Sequence, residues 1–310
     1  MKKILITGGS GLVGMAIKTI SKNYDYDFIF LSSKDCDLTN YTDTFELFSN
    51  YKPDCVIHLA ACVGGLFKNM KYKVDMFEKN ILINTNVLKV CHKIGVKKVV
   101  SCLSTCIFPD KTTYPIDETM LHNGAPHFSN DAYAYAKRML DVQSRAYKEQ
   151  YNDNFICVIP TNIYGPHDNF NLQDSHVIPG LIHKCYLAKQ MGGPFVIAGT
   201  GTPLRQFIYS EDLAILVLWA LENYSEIEPI ILSVSESEEK SINFVATCIA
   251  KKFNYENLIF DKEKPDGQFK KTANNSKLLE RIQNFAFTPI EEGIIKTVEW
   301  FVANYKNSRT

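Results

Sequence analysis

Lys3-Ile4-Leu5-Ile6-Thr7-Gly8-Gly9-Ser10-Gly11-Leu12-Val13-Gly14 is the stretch on which the fold class turns. A short apolar run stops at a pair of glycines, and an apolar helix-like segment begins at Leu12. Strand, glycine turn and helix in immediate succession let backbone N–H groups approach a pyrophosphate at the positive end of the helix. Glycines alone would suit any tight turn. The strand before and the helix after make this a dinucleotide-binding expectation, resting on Gly8, Gly9, Ser10, Gly11, Leu12, Val13 and Gly14.

Outward from this loop, Phe28–Leu31, Cys55–Leu59, Lys98–Leu103 and Phe155–Pro160 are further short apolar runs, separated by longer helix-like segments. The alternation predicts an α/β protein of Rossmann type, a doubly wound parallel sheet with helices on both faces. After Gly165 it weakens. Residues 1–165 and 203–228 read as the nucleotide-binding domain, and 166–202 with 229–310 as a smaller, discontinuous α/β substrate lobe. The lobe is expected to hold a helix near Ile178–Lys189, a strand over Ile230–Val234, a helix begun at Ser241 and a last helix around Glu291–Tyr305. Ser210-Glu211-Asp212 reads as the cap of an apolar helix that runs to Leu221 and returns to the first domain.

Composition narrows the function classes. Apolar residues make up 45% of the 310-residue chain and charged residues 22%, as in an ordinary globular protein. Lys plus Arg and Asp plus Glu balance at 34 each, so neither nucleic acid nor an anionic membrane is expected as a partner. No apolar leader precedes the glycines, and no run approaches the ~18 apolar residues that span a bilayer. The nine cysteines are scattered without C-x-x-C spacing, which reads as reduced thiols of a cytoplasmic protein. Cys and His lack ligand spacing, so no metal site is expected.

The candidate chemistry begins at Tyr133-Ala134-Tyr135-Ala136-Lys137. Four residues apart on a helix, Tyr133 and Lys137 share a face, and a cation beside a phenol favours its phenolate. Such a pair can relay a proton to a ketone as hydride arrives. Ser104-Thr105-Cys106 follows the fourth strand, at the carboxyl end where doubly wound sheets gather their active residues. Ser104 can share a carbonyl oxygen with Tyr133, and the Cys106 thiol becomes an acid or base near neutrality if its surroundings lower its pKa. His176 lies in the polar stretch Asp174-Ser175-His176-Val177-Ile178-Pro179, well suited to proton transfer, whereas His167, His183 and His92 read as surface-loop histidines. After the second strand, Ser32, Ser33 and Lys34 favour a ribose 2′-phosphate and hence NADPH, while Asp35 leaves NADH open.

Together these stretches resemble the extended short-chain dehydrogenase/reductases and, within them, the GDP-L-fucose synthase family of 3,5-epimerase-4-reductases. The likeness runs through the glycine loop, His58-Leu59-Ala60-Ala61, Ser101 to Pro109, the Tyr-Lys segment, Pro160-Thr161-Asn162, Gly165 to Phe170, Ser175 to Pro179 and Asp266-Gly267-Gln268-Phe269-Lys270-Lys271. It implies NADP(H) as cofactor, held also by Ala60, Lys137, Pro160, Thr161, Asn162, Ile163 and His176. It implies GDP-4-dehydro-6-deoxy-D-mannose as substrate, with Lys184, Arg205 and Lys271 around its diphosphate and sugar, Asp266 nearby, and a homodimer. Cys106 would be the base and His176 the acid of two epimerisations, with Tyr133 and Ser104 holding the enolate. Ala198 departs from the family, which usually has a tryptophan there, so substrate affinity or nucleotide preference is expected to differ. A nucleotide-sugar 4-epimerase or simple 4-reductase would keep Tyr133 and Lys137 without a use for Cys106 and His176. A non-catalytic dinucleotide sensor would be expected to have lost the Tyr-Lys pair.

Overall fold

The computed structural model describes residues 1–310 except Pro265 and Gly267, and of Leu66 and Phe67 the backbone alone. Gly267 of the Asp266–Lys271 stretch therefore lies outside the described residues. The first half of the chain runs β1 (Lys2–Thr7), α1 (Leu12–Ile20), β2 (Tyr26–Phe30), α2 (Tyr41–Tyr51), β3 (Cys55–His58), α3 (Leu66–Lys71), α4 (Lys73–Ile94), β4 (Lys98–Cys102), α5 (Asp131–Tyr151) and β5 (Phe155–Pro160). The second half runs β6 (Asn162–Tyr164), α6 (Val177–Met191), β7 (Phe195–Ala198), β8 (Leu204–Arg205), β9 (Phe207–Tyr209), α7 (Ser210–Asn223), β10 (Ile230–Leu232), β11 (Lys240–Ser241), α8 (Ile242–Lys252), β12 (Leu258–Asp261), α9 (Ser276–Arg281) and α10 (Ile290–Asn304).

The main sheet has the order β10-β5-β4-β3-β1-β2, and every pairing in it is parallel. Helices cover both faces, which is why its strands read as unbroken apolar runs and not as alternations. Ile4, Leu5 and Ile6 are fully buried, as are Val56, Ile57, Ile156, Val158 and Ile159. One face packs on α1 and α7 through Ile17, Leu213, Val217 and Leu221. The other packs on α2, α4 and α5 through Phe48, Val87, Leu88 and Leu140. The order reverses beside β1, so the carboxyl ends of β1, β3 and β4 open on a crevice, the usual ligand position in such sheets.

One expected strand lies elsewhere. Ile230–Leu232, read as part of the substrate lobe, pairs Ile230 with Val158 and Leu232 with Pro160 and forms the sixth strand of the main sheet. All three residues are fully buried there, and Leu278 of α9 joins the same core. A separate cluster around Phe170, Ile182, Phe195, Ile249, Ile294 and Phe301 forms the core of the lobe, built on α6, α8, α10 and the parallel pair β7–β12. His183 is also not a loop residue: it sits on α6, is 5% exposed, and its Nδ1 lies 2.8 Å from the Phe170 carbonyl oxygen. His92 falls in the last turn of α4, with its Nδ1 2.7 Å from Asp153. The helix expected to be capped by Ser210 starts at that residue instead; Tyr209 stands at the cap, and Asp212 accepts the Thr288 N–H at 2.7 Å.

Candidate active site

The glycine loop fits a dinucleotide for steric reasons that its own geometry exposes. Gly8 holds φ +69°, and a Cβ there would stand 2.8 Å from the Ala60 backbone nitrogen. Gly11 caps α1 without any side-chain bond, so the first N–H groups of that helix are left to a ligand. At Gly14 an added methyl would come within 2.6 Å of the Gly8 oxygen and the Gly9 Cα, backbone that cannot step aside. Gly14→Ala is therefore expected to cost about 1–3 kcal/mol of stability by forced backbone shifts, and to weaken dinucleotide binding about tenfold or more. Thermal unfolding and a fluorescence titration check the two effects.

At the end of β2 the Asp35 carboxylate accepts both the Ser32 N–H and the Ser32 hydroxyl at 2.7 Å, which holds its pKa below the usual carboxylate range. It is thus already engaged by its own turn. Lys34 is exposed beside Ser33 at the end of β2, where a cation suits a 2′-phosphate, whereas the adjoining hollow of about 430 Å³ is mainly acidic, lined by Asp35, Asp37, Asp43 and Glu46. Thr161 is buried with its hydroxyl unpaired among the described residues, an orphaned group consistent with a missing ligand partner. Asn162 has its amide donated to the Gln206 carbonyl at 2.8 Å.

Beside these lies a cleft of about 680 Å³. Its walls bring together Ser104, Cys106, Asn162, His176, Lys184, Arg205, Asp266 and Lys271, residues from five separate stretches of chain. Cys106 sits in a short 3-10 turn, Thr105–Ile107, capped by the Ser104 hydroxyl, which accepts the Cys106 N–H at 3.4 Å. Arg138 of α5, which the sequence reading passed over, fixes this turn by donating its Nε to the Ile107 carbonyl at 2.5 Å. Burial pushes the Cys106 thiol above its ordinary pKa, and Lys271, then the Ser104 bond and Lys137, pull it back. His176 stands at the N-terminal cap of α6 with its ring open to the cleft, yet the surrounding walls desolvate it and lower its pKa, against the raising influence of Asp174.

Lys271 is held beside Cys106 by a backbone clamp. Ile116 N–H donates to the Thr272 carbonyl at 2.8 Å, and Asn274 N–H returns to the Ile116 carbonyl at 2.8 Å. Gln206 reinforces it, its side chain accepting the Ala273 N–H at 2.7 Å and donating to the Ala273 carbonyl at 3.0 Å. Lys271, Arg205 and Lys184 are each partly exposed, and desolvation by the cleft walls lowers the pKa of all three. Asp266 also lines the cleft, with its carboxylate engaged by Thr200, which donates its N–H at 2.9 Å and its hydroxyl at 2.6 Å to the two oxygens.

Tyr133 and Lys137 stand one turn apart on α5, and the Tyr133 phenol neighbours Cys106, whose thiol forms part of the cleft wall. Lys137 is 2% exposed and donates its Nζ to the Cys102 carbonyl at 2.8 Å. Among the described residues the Tyr133 hydroxyl has no hydrogen-bond partner, and burial, followed by the neighbouring Cys106, raises its pKa well above that of a free phenol. The expected depression of the phenol by the lysine is thus absent here, because burial outweighs a cation already committed to a backbone carbonyl.

Residues 4–234 match the NAD dependent epimerase/dehydratase family. A GDP-L-fucose synthase of Dictyostelium discoideum is 56% identical over 99% of this chain and 98% of its own length. A probable GDP-L-fucose synthase of Drosophila melanogaster is 52% identical, with both chains covered in full. The crystal structure of a GDP-L-fucose synthetase from Naegleria fowleri bound to NADP superimposes with a TM-score of 0.96 at 51% identity, covering 100% of this chain and 95% of that one. The glycine cradle, the Tyr-Lys helix and a Cys-His cleft thus sit in a chain that belongs to the NAD dependent epimerase/dehydratase family, among its GDP-L-fucose synthases.

Proposed function

We propose that the protein converts GDP-4-dehydro-6-deoxy-D-mannose to GDP-L-fucose in the cytoplasm, by epimerisation at C3 and C5 followed by reduction of the C4 ketone. The gathering of Cys106, His176 and three partly exposed cations around one cleft beside the Tyr-Lys helix carries this reading. A 4-ketone acidifies the protons on C3 and C5, so a base on one face of the ring and an acid on the other invert each centre. Cys106 takes each proton and His176 returns it. In the resting site burial opposes both the thiolate and the imidazolium. The working form moves one proton between them, leaving net charge unchanged while Lys271 and Ser104 favour the thiolate.

The glycine loop, Lys34, Ala60, Lys137, Pro160, Thr161, Asn162, Ile163 and His176 would hold NADP(H), which supplies the hydride when bound. Ser104 and Tyr133 take the C4 oxygen. Because burial keeps the phenol protonated, Tyr133 is ready to give that oxygen a proton, and Lys137 stabilises the phenolate left behind. Lys184, Arg205 and Lys271 neutralise the diphosphate and recover in binding what burial of their charges costs. Ala198 leaves room in the cleft wall.

The test is to run the reaction with NADPH in heavy water and locate deuterium by NMR. Deuterium at both C3 and C5 with NADPH consumed supports the dual activity; reduction without exchange would leave a simple 4-reductase.

The outer faces of α4 and α5 expose Phe77, Leu82, Tyr135, Met139 and Val142, each 36% to 47% exposed. A second copy of the chain would cover this apolar patch, and we place a two-fold homodimer there. Met139→Glu is expected to convert the dimer to monomer in light scattering with the circular dichroism unchanged, since the side chain makes no part of the buried core.

A further inference from the structure

His58 is a fully buried imidazole at the carboxyl end of β3, directly across from Thr7 at the end of β1. Its Nδ1 lies 2.8 Å from Thr7 Oγ1 and its Nε2 lies 3.1 Å from Asn84 Oδ1 on α4. The Asn84 amide nitrogen reaches the Ala136 carbonyl at 3.4 Å, one residue before Lys137. At the other end, Thr7 Oγ1 accepts the Ala60 N–H at 3.2 Å, in the segment against which Gly8 packs.

The directions of these bonds are forced. A carbonyl only accepts, so Asn84 presents its NH₂ to Ala136 and its oxygen to His58. Nε2 of His58 must then carry the proton, Nδ1 must be bare, and the Thr7 hydroxyl donates to it. Burial, and then the charge of Lys137, drive the imidazole pKa down to about 3, so this neutral tautomer persists across the working range. Lys137 is the one charged group that acts on the ring among the described residues, while Thr7 and Asn84 are neutral. A polar group so deep in a core is costly unless every bond is made. Here each is made, and together the bonds join four elements, from the nucleotide loop to the helix of the proton-transfer pair.

We propose that His58, held between Thr7 and Asn84, is a positioning residue that sets Lys137 and Tyr133 relative to the nucleotide loop. This rests on the reading of Tyr133 and Lys137 as the reduction pair. A leucine at 58 fills the volume without either bond, and Thr7→Val removes one hydroxyl at constant shape.

Both variants are to be purified, checked for a cooperative unfolding transition, and assayed for kcat of NADPH oxidation in water and in heavy water. Both are expected to lower kcat about 10- to 100-fold, the usual cost of misplacing catalytic groups. They should also raise the solvent deuterium isotope effect on kcat, because proton donation by a displaced Tyr133 becomes the slow step, and leave the KM for NADPH unchanged, the pattern of an interaction made only in the transition state. Thr7→Ser, which keeps the hydroxyl, restores both rate and isotope effect. A loss with the isotope effect unchanged, with serine no better than valine, would show a merely stabilising role and overturn the proposal, as would full activity in His58→Leu. If His58→Leu does not fold, the Thr7 pair decides alone. Full reduction by Tyr133→Phe would instead sink the reading of the Tyr-Lys pair, whatever His58 does.

Discussion

Cys106→Ser loses deuterium incorporation at C3 and C5 by about 10²- to 10⁴-fold, the range supplied by a positioned general base. A serine hydroxyl fits the same 3-10 turn and keeps the backbone bond to Ser104, so the fold and the cleft are preserved. What is lost is an acidic proton, since no neighbouring cation brings an alcohol into the range of a thiol with an ordinary pKa near ~8.5. Reduction of a ketone that needs no epimerisation should fall far less, because Tyr133 and Ser104 are untouched. Equal loss of both activities would mean that Cys106 shapes the cleft and does not abstract protons.

Lys271→Met separates the two jobs given to that lysine. Removing the cation leaves burial unopposed by its largest counterweight, so the Cys106 pKa rises. Below that pKa each unit of rise cuts the thiolate fraction about tenfold. Alkylation of Cys106 by iodoacetamide, followed by peptide mass spectrometry without any nucleotide sugar present, is expected to slow accordingly. Lysine that served the diphosphate alone would leave the alkylation rate unchanged.

How much of this was legible in the sequence differs from residue to residue. The glycine loop and the first five strands follow from local patterning, because a buried parallel strand is an apolar run and a phosphate turn needs glycine where a Cβ would strike backbone. Ile230–Leu232 was seen as a strand but misplaced, since three apolar residues look alike whether they close the main sheet or a lobe. His183 was misread because one histidine in an apolar helix gives no sign of the Phe170 carbonyl that receives it. Tyr133 and Lys137 were correctly put on one helical face. The direction of Nζ was not readable, as it depends on the Cys102 carbonyl on a different strand. The same holds for Lys271 and for Arg138: each acts on the Cys106 turn through contacts that the tertiary fold alone brings about.

Tyr133→Phe lowers the rate of NADPH-dependent reduction about 10²- to 10⁴-fold with little change in NADPH affinity. The phenol has no hydrogen-bond partner among the described residues, so removing its oxygen orphans nothing and leaves the helix packing in place. Its burial raises the pKa, which keeps the proton on the oxygen until a developing alkoxide, a far stronger base than water, calls for it. The proton acceptor of the reaction is thus selected by the site and not by solvent. Lys137→Met should reproduce much of the loss by a different route. An apolar chain of similar length in that buried position costs little stability, as burying an ammonium is itself unfavourable. But the phenolate formed after donation would then lie in a pocket with no cation beside it. If Tyr133 were the proton donor without help from Lys137, the methionine variant would keep its rate and Tyr133→Phe alone would lose it. Steady-state kcat for the two variants, measured at one pH on the same preparation of substrate, separates these cases.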